Sequence, residues 1–249
     1  MKIKGNTVLI TGGATGIGLA MAEAFLKAGN KVIICGRREN RLAEAKKKFP
    51  ALYTRQCDVT SSTDRKTLLE WTKENFKDLN ILINNAGIQK MADFTSGAKE
   101  MDKPGDEIAT NFAAPIRMTA LFAPVLMKQK AAAIFNVSSG LGFVPIAAMP
   151  VYCATKAALH SFTVSLRFQL KDTSVKVFEI IPPAVDTELG RNEGEEESDY
   201  PGAKPAVVSD AVMKALAEDR YEIPAGDAKG LVEGSCKDFK GTFDNLNRW

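Results

Sequence analysis

Thr7-Val-Leu-Ile-Thr-Gly-Gly-Ala-Thr-Gly-Ile-Gly18, running on into Leu19-Ala-Met-Ala-Glu-Ala-Phe-Leu26, is the stretch that decides the fold. The apolar run from Thr7 to Thr11 is β-favouring and too short for a helix. A glycine cluster closes it, and helix-forming residues follow until Gly29-Asn30. The turn carries Gly12, Gly16 and Gly18 in the spacing G-x-x-x-G-x-G. Missing side chains let the backbone approach an anion, whose charge a helix N-terminus stabilises. A glycine-rich tight turn without a ligand would look the same locally, but a strand before it and a helix after it favour a nucleotide pyrophosphate. No Gly-Lys-Ser/Thr follows, which argues against ATP or GTP phosphoryl transfer.

The same alternation continues along the chain. Lys31-Val-Ile-Ile-Cys35 reads as the second strand, followed by a helix near 39–48, a strand near 52–57 and a helix near 64–74. A strand at 81–83, a long helix over 108–128 and a strand at 134–137 come next. The chain then predicts a helix over 152–170, a strand over 175–181, a weaker helix near 209–217 and a short strand near 221–223. Continuous apolar strands separated by helices imply a parallel sheet covered on both faces. Right-handed crossovers make it a doubly wound, Rossmann-type α/β fold. One domain over 1–249 accommodates the whole chain, because 249 residues with 45% hydrophobic content can bury one core.

Composition narrows the function. A net charge of +3 gives no case for nucleic-acid binding. No signal peptide and no run of membrane-spanning length is visible, so a cytoplasmic protein without a membrane partner is expected. Cys35, Cys57, Cys153 and Cys236 show no paired spacing and read as buried, reduced thiols. His160 is the sole histidine, which argues against a histidine metal cluster or a Ser-His-Asp triad; it reads as a packing residue.

The unusual residues share one position. The glycine turn, Asp58, Asn84-Asn-Ala-Gly87, Ser138 with Ser139, and the 182–187 segment each follow a predicted strand. In a parallel sheet these points converge on the rim where open α/β sheets bind ligands. The second strand ends Cys35-Gly36-Arg37-Arg38, with no acid to hold a ribose 2′-hydroxyl. A guanidinium there suits a 2′-phosphate, so NADP(H) is favoured over NAD(H), with Arg37 ahead of Arg38; ordinary surface arginines are the alternative. Asp58, before Val59, could accept from an adenine amino group or cap the next turn. Asn85, Ala86 and Gly87 suit either a structural turn or a cofactor contact. Tyr152-Cys-Ala-Thr-Lys156 opens the long later helix, and four residues make about one turn, so phenol and ammonium share a face. A tyrosine ordinarily ionises near about 10, and a neighbouring cation favours the phenolate, which makes Tyr152 a candidate general acid/base.

Taken in order, TGGATGIG, DV, NNAG, Asn111, SS, YCATK and a P-x-x-x-x-T segment resemble the short-chain dehydrogenase/reductase family over nearly the whole chain. The texture of VYCATKAALHSF and NNAGIQ resembles its DltE-type oxidoreductase branch. The resemblance implies that Tyr152 is the catalytic acid/base and that Lys156 lowers its pKa and holds the nicotinamide ribose. It makes Ser139, rather than Ser138, the residue that orients a substrate carbonyl. Asn111 would hold a helix kink and a water linking Lys156 to solvent. Gly12, Thr15, Gly16, Ile17, Gly18, Arg37, Arg38, Asp58, Val59, Asn85, Ala86 and Gly87 would contact the cofactor. Thr187 would bind the carboxamide together with the backbone of Val185.

Two departures stand out. Pro182-Pro183 replaces the family's usual Pro-Gly, removing an N–H beside the nicotinamide. Tyr221-Glu-Ile-Pro-Ala-Gly226 replaces the usual glycine-rich final strand ending. Glu193, Glu195, Glu196, Glu197 and Asp199 fall where the family places a substrate lid, here around 188–207, and a like-charge run with glycines suits a mobile lid.

The resulting expectation is an NADP(H)-dependent oxidoreductase interconverting a small-molecule carbonyl and a secondary alcohol. A 3-oxoacyl-thioester reductase and a non-catalytic NADP-binding regulator are the alternatives. Apolar residues on more than one face of the 108–128 and 152–170 helices (Phe122, Val125, Leu159, Phe162, Leu166, Phe168) suit core burial or a subunit contact. With the resemblance, they suggest a homodimer or homotetramer.

Overall fold

Strand β1 (Thr7–Thr11) is buried at every position, as a strand covered on both faces must be. Six further strands join it: β2 (Lys31–Gly36), β3 (Tyr53–Gln56), β4 (Leu79–Asn84), β5 (Ala132–Val137), β6 (Val175–Ile181) and β7 (Glu222–Pro224). The computed structural model describes residues 2–100, 106–189 and 202–248. All strand pairs are parallel, in the order β3-β2-β1-β4-β5-β6-β7. The order reverses direction between β1 and β4, which opens a crevice at the strands' C-terminal ends.

Alternating side chains feed two separate cores. Val8, Ile10, Val32, Ile34 and Ile83 face helices α1 (Gly16–Lys27), α2 (Glu39–Lys48) and α6 (Pro205–Glu218), through Phe25, Leu42 and Val212 among others. Phe135 and Phe178 stack at 4.6 Å within this layer. Leu9, Ile33, Leu82 and Ile134 face α3 (Ser62–Asn75), α4 (Ala114–Leu126) and α5 (Pro150–Gln169), through Leu68, Phe122 and Leu166.

The architecture is the expected doubly wound one, with local differences. The 108–128 helix is not continuous: a π-helical turn, Ala109–Ala113, precedes α4. Strand β3 is one of the two edge strands and is only partly buried, which matches its mixed Tyr-Thr-Arg-Gln sequence. Two C-terminal helices, α7 (Ala228–Lys237) and α8 (Phe239–Leu246), were not expected. Their glycines and polar residues hide any period; Asp238 caps α8 by accepting from the Gly241 N–H at 2.9 Å. Cys236, on exposed α7, corrects the reading of four buried thiols, since only Cys35, Cys57 and Cys153 are buried. The acidic run at 193–199 lies outside the described residues. Among the described residues, no helix is long and apolar enough to cross a membrane.

Candidate active site

The C-terminal rim holds a cavity of about 530 Å³. One end is formed by the β1–α1 turn, where Gly12, Thr15, Gly16, Ile17 and Gly18 all line the wall. A Cβ on Gly18 would overlap the Gly12 carbonyl oxygen and the Asn85 side chain, so only glycine lets the helix approach this closely. Gly16 has φ of 54°, and a Cβ there would meet Thr187 Cγ2 at 2.9 Å, which brings Thr187 over the turn from the β6 side. Helix α1 begins at Thr15 with no side-chain cap and no acid in its first turn. Its orphan N–H groups and positive dipole end are thus uncommitted to any side chain, and a pyrophosphate fits them.

Asn84–Gly87 and Asp58 turn out to build the cavity as much as line it. Asn85 Nδ2 donates to the carbonyls of Thr11 (2.9 Å) and Gly12 (3.0 Å), while the N–H groups of Asn85 and Ala86 donate to Thr11 Oγ1. The Asn85 amide therefore ties the glycine turn to β4. Asp58 Oδ1 accepts from the Thr60 N–H and hydroxyl, both at 2.8 Å, so its capping reading is realised while Asp58 and Val59 also line the wall.

Arg37 and Arg38 both line the cavity, joined by Arg41, which the sequence reading missed. Arg41 lies one turn into α2 from Arg38, a spacing that could have revealed it. None of Ser139, Val185 and Asn111 lies on the cavity wall, where Ser138 stands instead of Ser139. Val185 packs against the α1/α6 core and bridges Ala203. Pro182 lines the cavity, and Pro183 packs near Gly226 instead of donating a bond.

At the other end stand Tyr152 and Lys156 on α5, 6% and 4% exposed, both on the wall. Lys156 Nζ donates to the Val137 carbonyl at 2.8 Å and sits 5.6 Å from the centroid of the Tyr152 ring. Among the protein's own groups, Lys156 is not one of those that shift the Tyr152 phenol. Burial raises Tyr152 to about 12, against a lowering by its hydrogen bond with Ser139, and Lys156 itself is pulled down to about 8 by burial. Desolvation outweighs the pairing because the ammonium is turned to a backbone carbonyl. Asn111, in the π-helical turn, accepts from the Ile88 N–H (2.8 Å) and donates to the Ile88 carbonyl (2.8 Å) and Thr155 Oγ1 (3.2 Å). Among the described residues its Oδ1 accepts from the Ile88 N–H alone, of the two hydrogen bonds an amide oxygen can take.

A glycine turn, three arginines, Tyr152 and Lys156 thus line one cavity. The family model of the short chain dehydrogenases matches residues 6–198. The chain belongs to the short-chain dehydrogenase/reductase family. It is 49% identical over 248 residues to the oxidoreductase DltE of Bacillus subtilis, covering 99% of this chain and 98% of DltE, and is an oxidoreductase of that type. A short chain dehydrogenase from Burkholderia cenocepacia in complex with NADP is 27% identical, with a TM-score of 0.84 and full coverage of both chains. A short chain dehydrogenase/reductase from Burkholderia phymatum in complex with NAD shares the fold, with a TM-score of 0.85 at 22% identity over 100% of this chain and 99% of that one.

In this dehydrogenase the two serines after β5 have different surroundings. Ser138 Oγ donates to Glu179 Oε1 at 2.5 Å, and Glu179 Oε2 lies 2.8 Å from His160 Nδ1. Ser138, which lines the cavity, is thereby committed to a fully buried carboxylate, while Ser139, off the wall, is the neighbour that lowers the phenol's pKa. His160, read from sequence as packing, partners that carboxylate, which raises its pKa. Sequence reasoning missed Glu179 because a glutamate inside an apolar strand gives no motif. The C-terminal helices also reach the dehydrogenase's rim: Asn247 accepts from the Ala147 N–H at 2.6 Å and donates to the Pro145 carbonyl at 3.1 Å. They brace the 141–150 loop beside Tyr152.

Proposed function

We propose that this dehydrogenase interconverts a small-molecule carbonyl and a secondary alcohol with NADP(H), using Tyr152 as the acid/base. The observation that supports this most is the placement of Tyr152, whose phenol pKa the neighbouring Ser139 lowers, on the wall of a cavity whose far end is the glycine turn. The uncapped start of α1 would hold the pyrophosphate, and Thr187, close over Gly16, would hold the carboxamide side. Val185 would contribute through its backbone alone. A nicotinamide held there would supply the hydride that the substrate carbon gains or loses.

The chain's own groups manage the oxygen. With a phenol raised to about 12, Tyr152 is protonated at neutral pH, the form that gives a proton to a carbonyl oxygen in reduction. Ser139 donates a second hydrogen bond to that oxygen as charge develops on it. In the oxidative direction Tyr152 takes the proton, and the Lys156 ammonium within 5.6 Å of its ring steadies the phenolate. Asn111, through its remaining lone pair and Thr155, holds the route by which Lys156 exchanges protons with water.

Arg37, Arg38 and Arg41, with no acid over 35–38 at the end of β2, support NADP(H) over NAD(H). The similarity to the NADP-bound Burkholderia cenocepacia enzyme favours the same choice. A screen of ketones, aldehydes, keto sugars and acyl thioesters with each cofactor tests both parts. The expected result is a kcat/KM at least about tenfold higher with NADPH than NADH. Equal or better use of NADH would overturn the preference, and turnover of acyl thioesters alone would replace the substrate class.

The proposal includes self-association. Helix α5 leaves Phe168 70% exposed and Val164 43% exposed, a surface suited to a second copy in a homodimer or homotetramer. Light scattering on the purified chain reads this directly, and a monomer at all concentrations counts against it.

A further inference from the structure

Two of the arginines that face the cofactor cavity are already held by a carboxylate from the opposite wall. Glu188 follows Thr187 on the β6 side, yet its Oε1 lies 2.7 Å from Arg41 Nη2 and its Oε2 2.9 Å from Arg38 Nη1. Arg38 is the N-cap residue of α2 and Arg41 stands three positions later, so one turn aims both guanidiniums at the same carboxylate. All three side chains line the cavity. Arg41 Nη1 also holds Glu44 at 2.9 Å, so its charge is shared between two acids.

The contact is close but not well made. Glu188 Oε2 is buried and has no aligned hydrogen bond among the described residues, although Arg38 is 2.9 Å away. A carboxylate oxygen withdrawn from water without an aligned donor loses hydration that the pairing does not fully return. The side chains of Arg38, Arg41 and Glu188 remain 46%, 36% and 38% exposed, which keeps such a pair weak and exchangeable.

We infer that Glu188 is a specificity-determining residue that competes with the cofactor's 2′-phosphate for Arg38 and Arg41. The inference deepens, and rests on, the NADP(H) reading above. A phosphate monoester brings close to two negative charges and must displace the carboxylate or share the guanidiniums with it. A ribose 2′-hydroxyl carries no charge and makes no such demand. The charge of Glu188 therefore narrows the margin between the two cofactors without touching the site of hydride transfer.

Glu188→Gln keeps the size and removes the charge. Calorimetric titration of this variant with NADPH and with adenosine 2′,5′-bisphosphate is expected to show binding about three- to tenfold tighter than in the natural chain. NADH and AMP should bind as before. The gain should shrink as salt rises, because exposed pairs are screened within a Debye length of about 10 Å at 0.1 M. Glu188→Ala, run in parallel with a melting curve for each variant, guards against a local packing effect.

Arg38→Ala and Arg41→Ala separate the two ways to fail. If they weaken NADPH binding while neither Glu188 variant tightens it, the competition is refuted and the NADP(H) reading stands. If they leave NADPH binding unchanged, the NADP(H) reading of these arginines falls and takes the inference with it.

Discussion

Tyr152→Phe is expected to lower kcat by at least about 10³-fold while leaving the dissociation constant for NADPH nearly unchanged. A positioned acid/base contributes about 10²–10⁴-fold, and the same substitution removes a hydrogen bond to the developing oxyanion. The ring stays, so the volume that the 6%-exposed side chain fills is preserved and the cavity keeps its wall. Ser139 loses its phenol partner but retains the hydrogen bond it accepts from the Leu141 N–H at 3.1 Å, so the loop after β5 should hold. Stopped-flow hydride transfer and fluorescence titration of cofactor measure the two quantities separately. Normal turnover at saturating cofactor with impaired binding would reverse the assignment of Tyr152.

The second large effect couples catalysis to stability. Lys156→Met should abolish turnover and at the same time make the cofactor-free protein more stable at neutral pH. Burial lowers the lysine from 10.5 to about 8, a difference worth about 3 kcal/mol for a single group. Below pH 8 the folded protein carries a buried ammonium that donates to the Val137 carbonyl, and the unfolded chain carries the same charge in water. Between pH 8 and 10 the unfolded state binds more protons at this site than the folded one, so stability should rise with pH there. Above pH 10 the phenol of Tyr152, raised to about 12, acts in the opposite direction. Methionine fills similar space without the charge. A gain of about 1–3 kcal/mol, or roughly 2–10 °C in Tm for a chain of this size, is therefore expected at pH 7. The rise in stability between pH 8 and 10 should flatten in the variant. A variant that melts lower than the natural chain at pH 7 would show that the ammonium is better solvated than its 4% exposure indicates. Such a trade is what a site that keeps a charged group out of water for chemistry should display.

Much of this was legible locally. Thr7 to Gly18 announces strand, turn and helix within twelve residues, because the turn's positive φ at Gly12 and Gly16 and the close approach at Gly18 demand glycine. Tyr152 and Lys156 are one turn apart on any helix, so their shared face needed no coordinates. Helices α7 and α8 were hidden because Gly230, Gly234 and Gly241 break any propensity argument. Gly234 is there for α8: a Cβ would press on the Thr242 side chain. Glu179 and His160 were opaque for a different reason. A buried glutamate is tolerable only with partners, and those partners come from the end of β5 and from α5.

The alternation of strands and helices, the glycine turn and the shared face of Tyr152 and Lys156 were written in residues close together in the chain, where spacing alone dictates geometry. Three matters were settled only by folding: that Arg38 and Arg41 meet Glu188, that Ser138 rather than Ser139 is bound to Glu179, and that burial rather than charge pairing governs Tyr152 and Lys156. Each depends on groups far apart in sequence being carried to one rim by parallel strands, and on how much water remains between them once they arrive. Distance along the chain encodes neither.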